Sequence, residues 1–146
     1  MVPILSGGLC NMIKITDEPL SPEKIVSEIK TPGSGCVLSY VGLIRDTSYG
    51  KGVTTVEYGD PDGTAEDGLR RIAEELKKTW ELNEVSIYHR TGKLNVGDIN
   101  LVIAIASAHR GEAFAACQRA VDLFKEKLPT SKVETYTDGS TRSGSD

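Results

Sequence analysis

The pattern of apolar and polar positions predicts five strands and three helices in irregular alternation. Short apolar or β-branched runs, which are typical of strands, lie at 12–16, 36–44, 53–58, 84–89 and 99–108. We expect the third strand to pair with the second, with a mobile, glycine-containing loop at 47–52 between them. The segment 91–98 is rich in turn residues. This irregular order favours an α+β fold over a doubly wound parallel sheet.

Helical periodicity places the three helices. The first begins with Ser21 as N-cap and Pro22 at the first helical position, and the run TPGSG at 31–35 stops it. In the second, apolar residues at 69, 72, 73, 76 and 80 are separated by charges. The third covers about 112–128, and its predicted apolar stripe consists of Phe114, Cys117, Val121, Phe124 and Leu128.

The length of 146 residues fits one domain with a single core. We expect a loosely ordered leader at 1–11, the domain at 12–139 and a polar tail at 140–146 that frays. The leader has no basic segment and is a poor signal peptide. The longest apolar run, 101–106, is too short to span a membrane. These features predict a soluble, cytoplasmic protein.

Charge and motif content argue against several classes of function. A net charge of −4 does not suggest a nonspecific nucleic-acid binder. Three scattered cysteines without a CxxC motif indicate neither a disulfide framework nor a zinc site. The GxGxxG, Walker A, GxSxG and HExxH motifs are missing, and neither histidine has an obvious nucleophile nearby in sequence. We therefore expect no metal, no nucleic-acid partner and no hydrolase chemistry.

Two His-Arg pairs, His89-Arg90 and His109-Arg110, each follow an apolar strand. The second pair leads directly into the third helix, where free backbone N–H groups attract anions and an arginine adds a forked donor. It could hold a phosphate of a small ligand, or it could only cap the strand and pair with surface carboxylates. The spacing leaves both interpretations open. For His89-Arg90 the pattern favours a structural role.

Three lysines surround the end of the third helix. Lys125 lies ~60° from the middle of the predicted stripe and Lys127 ~100° away, so we expect Lys125 to border the buried face. Pro129 breaks the helix and could bring Lys132 back to Lys125. Two neighbouring ammonium groups would lower each other's pKa and could act as nucleophile, proton shuttle or anion clamp. The spacing alone favours ordinary solvated lysines. Arg45, at the end of a strand, is a further candidate for ligand contact, although most such arginines only extend along the surface.

Six longer segments carry a family resemblance: GCVLSYVGLIRD (35–46), VTTVEYG (53–59), AEDGLRRIAEEL (65–76), IYHRTGKLNVGD (87–98), SAHRGEAFAACQRAVDLFKEKLP (107–129) and SKVETYTDGS (131–140). The order of features is specific: two HR pairs separated by GxLxVGD and an apolar strand, then a helix ending in a lysine, with another lysine seven residues later. On these segments the sequence resembles the large, catalytic subunit of molybdopterin synthase, the MoaE family.

The resemblance implies an α/β-hammerhead fold in a single domain. It also implies a homodimer with a small β-grasp subunit docked at each end, which makes a heterotetramer. The small subunit would insert its C-terminal Gly-Gly tail, carried as a thiocarboxylate, into a pocket of the large subunit. Two sulfur transfers to cyclic pyranopterin monophosphate would then build the dithiolene of molybdopterin, a step of molybdenum cofactor biosynthesis. The pterin is the substrate, and no resident cofactor or metal is implied.

The resemblance also assigns roles to individual residues. Lys125 and Lys132 match the active-site lysines of the family, and their separate roles stay open. The substrate-binding positions are Leu43, Ile44, Arg45, His109, Arg110, Lys125, Lys132, Val133 and Glu134. Cationic donors suit the phosphate of the substrate, and ammonium groups suit the anionic tetrahedral species of the transfer.

The sequence departs from the family pattern just before the second lysine. An aromatic residue is usual there and a basic residue often follows the lysine, but this chain has Thr130-Ser131 and then Val133. The loop 59–64 also lacks the usual tyrosine-proline pairing. We expect the loss of the aromatic residue to remove an anchor for Lys132. An alternative function is therefore a catalytically weak relative that binds a pterin phosphate or a β-grasp tail.

Overall fold

A computed structural model describes residues 12–144, so the predicted leader 1–11 and the last two residues of the predicted tail lie outside the described residues. Across this range the helices are α1 Pro22–Glu28, α2 Ala65–Thr79 and α3 Arg110–Glu126. The strands are β1 Met12–Thr16, β2 Cys36–Leu43, β3 Thr47–Ser48, β4 Lys51–Gly59, β5 Glu84–Arg90, β6 Gly92–Asn95, β7 Ile99–Ser107, β8 Ser131–Tyr136 and β9 Thr141–Ser143. The predicted α+β class is confirmed.

The first sheet has the strand order β1-β5-β7-β2 and is covered by helices on both faces. The strand β1 runs parallel to β5, and the other neighbours are antiparallel. Helices α2 and α3 pack on one face around Leu69, Leu76 and Ile103. The short α1 packs on the other face through Ile25 and Ile29. Burial on both faces explains why β7 is apolar almost throughout.

The second sheet has the order β3-β4-β8-β9, and β6 also pairs with β4. The prediction that β4 pairs with β2 is wrong, because β2 pairs antiparallel with β7 along its whole length. The strand β2 has helix layers on both faces, whereas β4 alternates buried and exposed positions, as a strand with one wet face does. The two strands therefore belong to different sheets. Ile44, at the end of β2, is buried in the core of the second sheet.

The predicted mobile loop 47–52 is a hairpin. Ser48 pairs with Lys51 across a turn of only two residues, Tyr49 and Gly50. Both have left-handed backbone, with φ of 52° and 75°, as expected for the two central residues of a type I′ turn. The usual Asn-Gly or Asp-Gly signal is missing here, so the sequence pattern did not identify the hairpin.

The tail that was expected to fray contains a strand. Residues 141–143 form β9, which pairs antiparallel with β8. Gly139 has a φ of 87°, and the N–H of Tyr136 donates to the carbonyl of Ser140 to close the intervening turn. The side chains of β9 are all exposed, which explains why the hydrophobic pattern contained no trace of this strand.

The apolar stripe of α3 differs from the predicted one. Phe114 is 59% exposed, and the fully buried positions on this helix include Ala113, Ala116 and Ala120. Small side chains let the helix approach the sheet closely, so alanines carry the contact. The centre of the buried face is shifted, and Lys125 lies roughly 140° from it. The prediction that Lys125 borders the buried face is therefore wrong, and this lysine is exposed.

Candidate active site

A cavity of about 510 Å³ lies where the end of β2, the hairpin β3–β4, the end of α3 and the start of β8 meet. We call it the lysine pocket. Six of the nine predicted site residues line it: Leu43, Ile44, Arg45, Lys125, Lys132 and Glu134. Residues 43–45 are placed there because Ile44 anchors the chain in the core of the second sheet as the chain leaves the first.

The two lysines reach the pocket in different ways. Lys125 is in the last turn of α3 and is exposed. Lys132 is the second residue of β8, and only 10% of its side chain is exposed. The lysine that is withdrawn from water is thus Lys132, not Lys125 as the helical wheel suggested. The helix ends at Glu126, two residues before the predicted end, and Pro129 lies in the short turn that leads into β8. The predicted return of Lys132 to the pocket that Lys125 lines is observed.

A buried carboxylate faces Lys132. The Oε2 atom of Glu134 is 3.8 Å from the Nζ atom of Lys132, and Glu134 is 7% exposed. Its Oε1 atom accepts hydrogen bonds from the hydroxyls of Ser48, at 3.0 Å, and Tyr136, at 2.6 Å. The bond donated to Glu134 raises the pKa of Tyr136. The carboxylate thus joins the hairpin, β8 and the lysine in one polar cluster.

His89 is fully buried and lies outside the pocket lining. Its ring is packed edge-on against Tyr58 and Phe124, with centroid distances of 4.8 and 4.9 Å. Its Nδ1 atom is 2.8 Å from the carbonyl oxygen of Asn100, and its Nε2 atom is 2.9 Å from the hydroxyl of Thr130. Burial lowers the pKa of His89 to about 4. The structural role predicted for this histidine is confirmed.

The second His-Arg pair lies elsewhere. His109 is the N-cap residue of α3 without a side-chain capping bond, and Arg110 follows it. Both line a separate open cleft together with Gly35 and Cys36. Along the helix axis Arg110 and Lys125 are about 22 Å apart. Within one protomer, His109 and Arg110 therefore do not share the lysine pocket.

Val133 is the remaining predicted site residue. It is half-buried on β8 and is not part of the pocket lining. Alternate residues of a strand point to opposite faces of the sheet, so Lys132 and Glu134 face the pocket while the residue between them does not. The segment 132–134 thus contributes two of its three predicted side chains.

Sequence reasoning missed several pocket residues. Ser48 lies in the segment predicted as a loop, and Tyr58 and Asn100 lie on strands. The amide of Asn100 donates to the hydroxyl of Tyr58 at 3.2 Å. One signal was available, because Asn100 is a lone amide near the start of the most apolar strand. Such a polar residue in a buried strand needs a partner.

Metal-binding clusters and membrane-spanning helices are absent from residues 12–144. No group of three or more His, Cys, Asp or Glu side chains in this part of the chain could hold a metal ion. Over the same residues, no helix is long and apolar enough to cross a membrane. Cys36 and Cys117 have free thiols, and Cys10 lies outside the described residues.

The fold and the pocket define a class of protein: an α+β domain with a pocket of small-ligand size, lined by three cationic side chains and one buried carboxylate. Such a lining suits an anionic ligand. Comparison with known proteins narrows this class to one family. The chain belongs to the MoaE family, since the family model described as MoaE protein matches residues 15–127. The resemblance drawn from the sequence motifs is therefore confirmed.

Individual relatives agree with this assignment. The molybdopterin synthase catalytic subunit of a Nostoc species is 39% identical over 127 residues, which cover 86% of this chain and 77% of the relative. The human protein of that name is 31% identical, with 92% and 71% covered. The crystal structure of molybdopterin synthase from Staphylococcus aureus superimposes with a TM-score of 0.84 at 29% identity, over 92% of this chain and 97% of the other.

Proposed function

We propose that this chain is the catalytic subunit of a molybdopterin synthase. It transfers sulfur from the C-terminal Gly-Gly thiocarboxylate of a small β-grasp subunit to cyclic pyranopterin monophosphate, and so forms the dithiolene of molybdopterin. One observation carries the proposal: Lys125 and Lys132, seven residues apart and on different elements, line the same cavity together with Arg45. The assignment to the MoaE family supports the same reaction.

The pocket suits both reactants. Its volume of about 510 Å³ lies within the range of small-ligand sites. The lining includes exposed Lys125, and we propose that the Gly-Gly tail enters on that side. Arg45 is exposed at the rim, where its guanidinium can bind the substrate phosphate through two parallel hydrogen bonds. The apolar side chains of Leu43 and Ile44 line the same wall and offer contact area for the pterin.

The two lysines suit different electrostatic roles in the transfer. In each transfer the thiocarboxylate sulfur forms a bond to a pterin carbon, which loses its oxygen substituent. Water then cleaves the acyl carbon–sulfur bond and leaves the tail as a carboxylate, and the transfer passes through anionic tetrahedral species. A preorganised ammonium group stabilises such charge best where water is excluded, which describes Lys132 at 10% exposure. Lys125 is exposed and suits binding of the incoming tail or exchange of protons with solvent. Glu134 holds the Lys132 ammonium group against the pocket wall.

His109 and Arg110 enter the site only through a second subunit. Their cleft is about 22 Å from Lys125 along α3, too far to hold the same small molecule. The homodimer implied by the family resemblance can bring this cleft of one protomer to the lysine pocket of the other. The proposed assembly is thus a homodimer with one small subunit at each end, acting in the cytoplasm without a resident metal or cofactor.

A reconstituted assay tests the proposal. The purified chain, a thiocarboxylated small subunit and cyclic pyranopterin monophosphate are mixed in a metal-chelating buffer, and the dithiolene product is measured. We expect product from the wild type, a loss of at least 100-fold for Lys132→Ala, and a loss for Lys125→Ala. Lys127→Ala is the matched control, because this exposed lysine is close to the same helix end but outside the lysine pocket. Binding of both partners without turnover would instead favour the alternative function, a catalytically weak relative that binds a pterin phosphate or a β-grasp tail.

A further inference from the structure

The segment that leads into β8 is attached to the rest of the protein through His89. Thr130 is 7% exposed, immediately precedes β8, and has its hydroxyl 2.9 Å from Nε2 of His89. Lys132 follows two residues later. The chain therefore has little freedom between this hydrogen bond and the lysine.

The direction of the hydrogen bonds follows from their chemistry. A carbonyl oxygen can only accept, so Nδ1 of His89 donates its proton to Asn100. In a neutral imidazole the other nitrogen then carries no proton. Nε2 is therefore an acceptor, and the hydroxyl of Thr130 donates to it. The low pKa of His89, about 4, keeps the ring neutral and this arrangement intact at neutral pH.

The same bonds close a ring around the base of Lys132. Tyr58 on β4 is the register partner of Lys132 on β8. The hydroxyl of Tyr58 accepts from the side chain of Asn100, the carbonyl of Asn100 accepts from His89, and His89 accepts from Thr130. Tyr58 and Asn100 also line the lysine pocket. The network thus connects the pocket wall to the backbone that carries the lysine.

We propose that His89 and Thr130 are positioning residues for Lys132. Their hydrogen bond fixes the start of β8, and thereby holds the Lys132 ammonium group at the reacting atoms of the substrate. This inference rests on the proposed function, in which Lys132 stabilises the anionic species. It also assigns an anchor to the segment Thr130-Ser131, where the expected aromatic residue is absent.

Thr130→Val tests the proposal, because it keeps the shape of the side chain and removes the hydroxyl. Since small misplacements of a catalytic group cost large factors in rate, we expect the single-turnover rate at saturating substrate to fall at least tenfold. Thr130→Ser, which restores the hydroxyl, should recover most of the rate. In a Lys132→Ala background, Thr130→Val should cause no further loss, because the threonine acts through the lysine.

A matched control separates positioning from general stability. Ser86, on the same strand as His89, is fully buried and donates its hydroxyl to the carbonyl of Met12. Ser86→Ala therefore also removes one buried hydroxyl hydrogen bond, but outside the lysine pocket. We expect this variant to change the single-turnover rate by less than twofold. An equal loss in Ser86→Ala and Thr130→Val would overturn the proposal.

A second measurement does not depend on turnover. The acetylation rate of Lys132 is measured by mass spectrometry relative to that of exposed Lys93. We expect the relative rate to rise at least threefold in Thr130→Val and to stay unchanged in Ser86→Ala. A wild-type chain that forms no product refutes the proposed function, and the acetylation rate then still decides the position of Lys132. An active wild type with an equally fast Thr130→Val variant refutes only the positioning role.

Discussion

The buried imidazole of His89 links the stability of the fold to pH. The ring is fully buried between Tyr58 and Phe124, and burial holds its pKa near 4. The hydrogen bond to Asn100 and the charge of Asp60 oppose this shift without cancelling it. In the unfolded chain the same ring is solvated and titrates near 6.5. We therefore predict that acid destabilises the protein through His89, and that a side chain without a titrating group removes this effect.

The sign and size of this pH effect on stability follow from the difference in proton binding between the unfolded and the folded chain. Between pH 4 and pH 6.5 the unfolded chain binds a proton at His89 that the folded chain does not, so the free energy of unfolding rises with pH. This contribution to stability is complete above pH 6.5 and is lost as the pH falls towards 4. At 1.36 kcal/mol per pH unit the full loss is about 3 kcal/mol, of which about 2 kcal/mol falls between pH 7 and pH 5.

Urea unfolding of the wild type and of His89→Gln at pH 7 and pH 5 measures this loss. Glutamine does not titrate, and its amide oxygen can still accept from the hydroxyl of Thr130. Other groups titrate in both proteins, so the informative quantity is the difference between their free energies of unfolding. We expect the wild type to lose about 2 kcal/mol more than the variant between the two pH values. Parallel losses in the two proteins would refute the buried neutral imidazole.

Three further outcomes are expected. Gly35→Ala places a Cβ against the carbonyl oxygen of Ala108, so the backbone must shift, and calorimetry should show a lower Tm, equivalent to about 1–3 kcal/mol. Glu134→Gln removes the charge that faces Lys132 and should lower the urea-derived stability by about 1–3 kcal/mol; unchanged stability would contradict the ion pair. If the second subunit completes the site, dimers mixed from Arg110→Ala and Lys132→Ala chains should be active although each variant alone is not. Inactive mixed dimers would contradict completion of the site across the dimer.

The sequence predicted where the helices and strands lie better than it predicted which strands pair with each other. Strongly periodic segments such as β7 and α2 were placed correctly, because burial on a fixed face leaves a repeating pattern. The partner of β4 and the hairpin at Tyr49 were not predicted. Pairing depends on which strands share a core, and the turn lacks the usual Asn-Gly or Asp-Gly signal. The exposed strand β9 is held by backbone hydrogen bonds to β8. Because these bonds need no apolar side chains, the hydrophobic pattern does not reveal the strand.

The sequence predicted most of the residues that line the lysine pocket, but it did not predict which candidate residues lie apart from it. Motif resemblance selected Lys125 and Lys132, and the structure places both in one pocket. The helical wheel failed for Lys125 because alanines such as Ala116, which carry little weight in a hydrophobic pattern, form the buried face of α3. The same resemblance grouped Arg110 with these lysines, although a straight helix separates them within a protomer. A family motif records which residues act on a substrate without recording which chain supplies them.

At Thr130-Ser131, where the family usually has an aromatic residue, this chain anchors the start of β8 through a different kind of contact. An aromatic side chain anchors a segment through buried apolar area, whereas Thr130 uses a single hydrogen bond to a histidine that burial keeps neutral. A directional bond fixes orientation more narrowly than a hydrophobic contact. It also survives protonation of His89, because the threonine hydroxyl can accept a hydrogen bond from Nε2–H. Acid should therefore act on this site through the cost of charging a buried imidazole, which destabilises the fold. We expect transfer to decline only over the pH range in which the folded protein itself is lost.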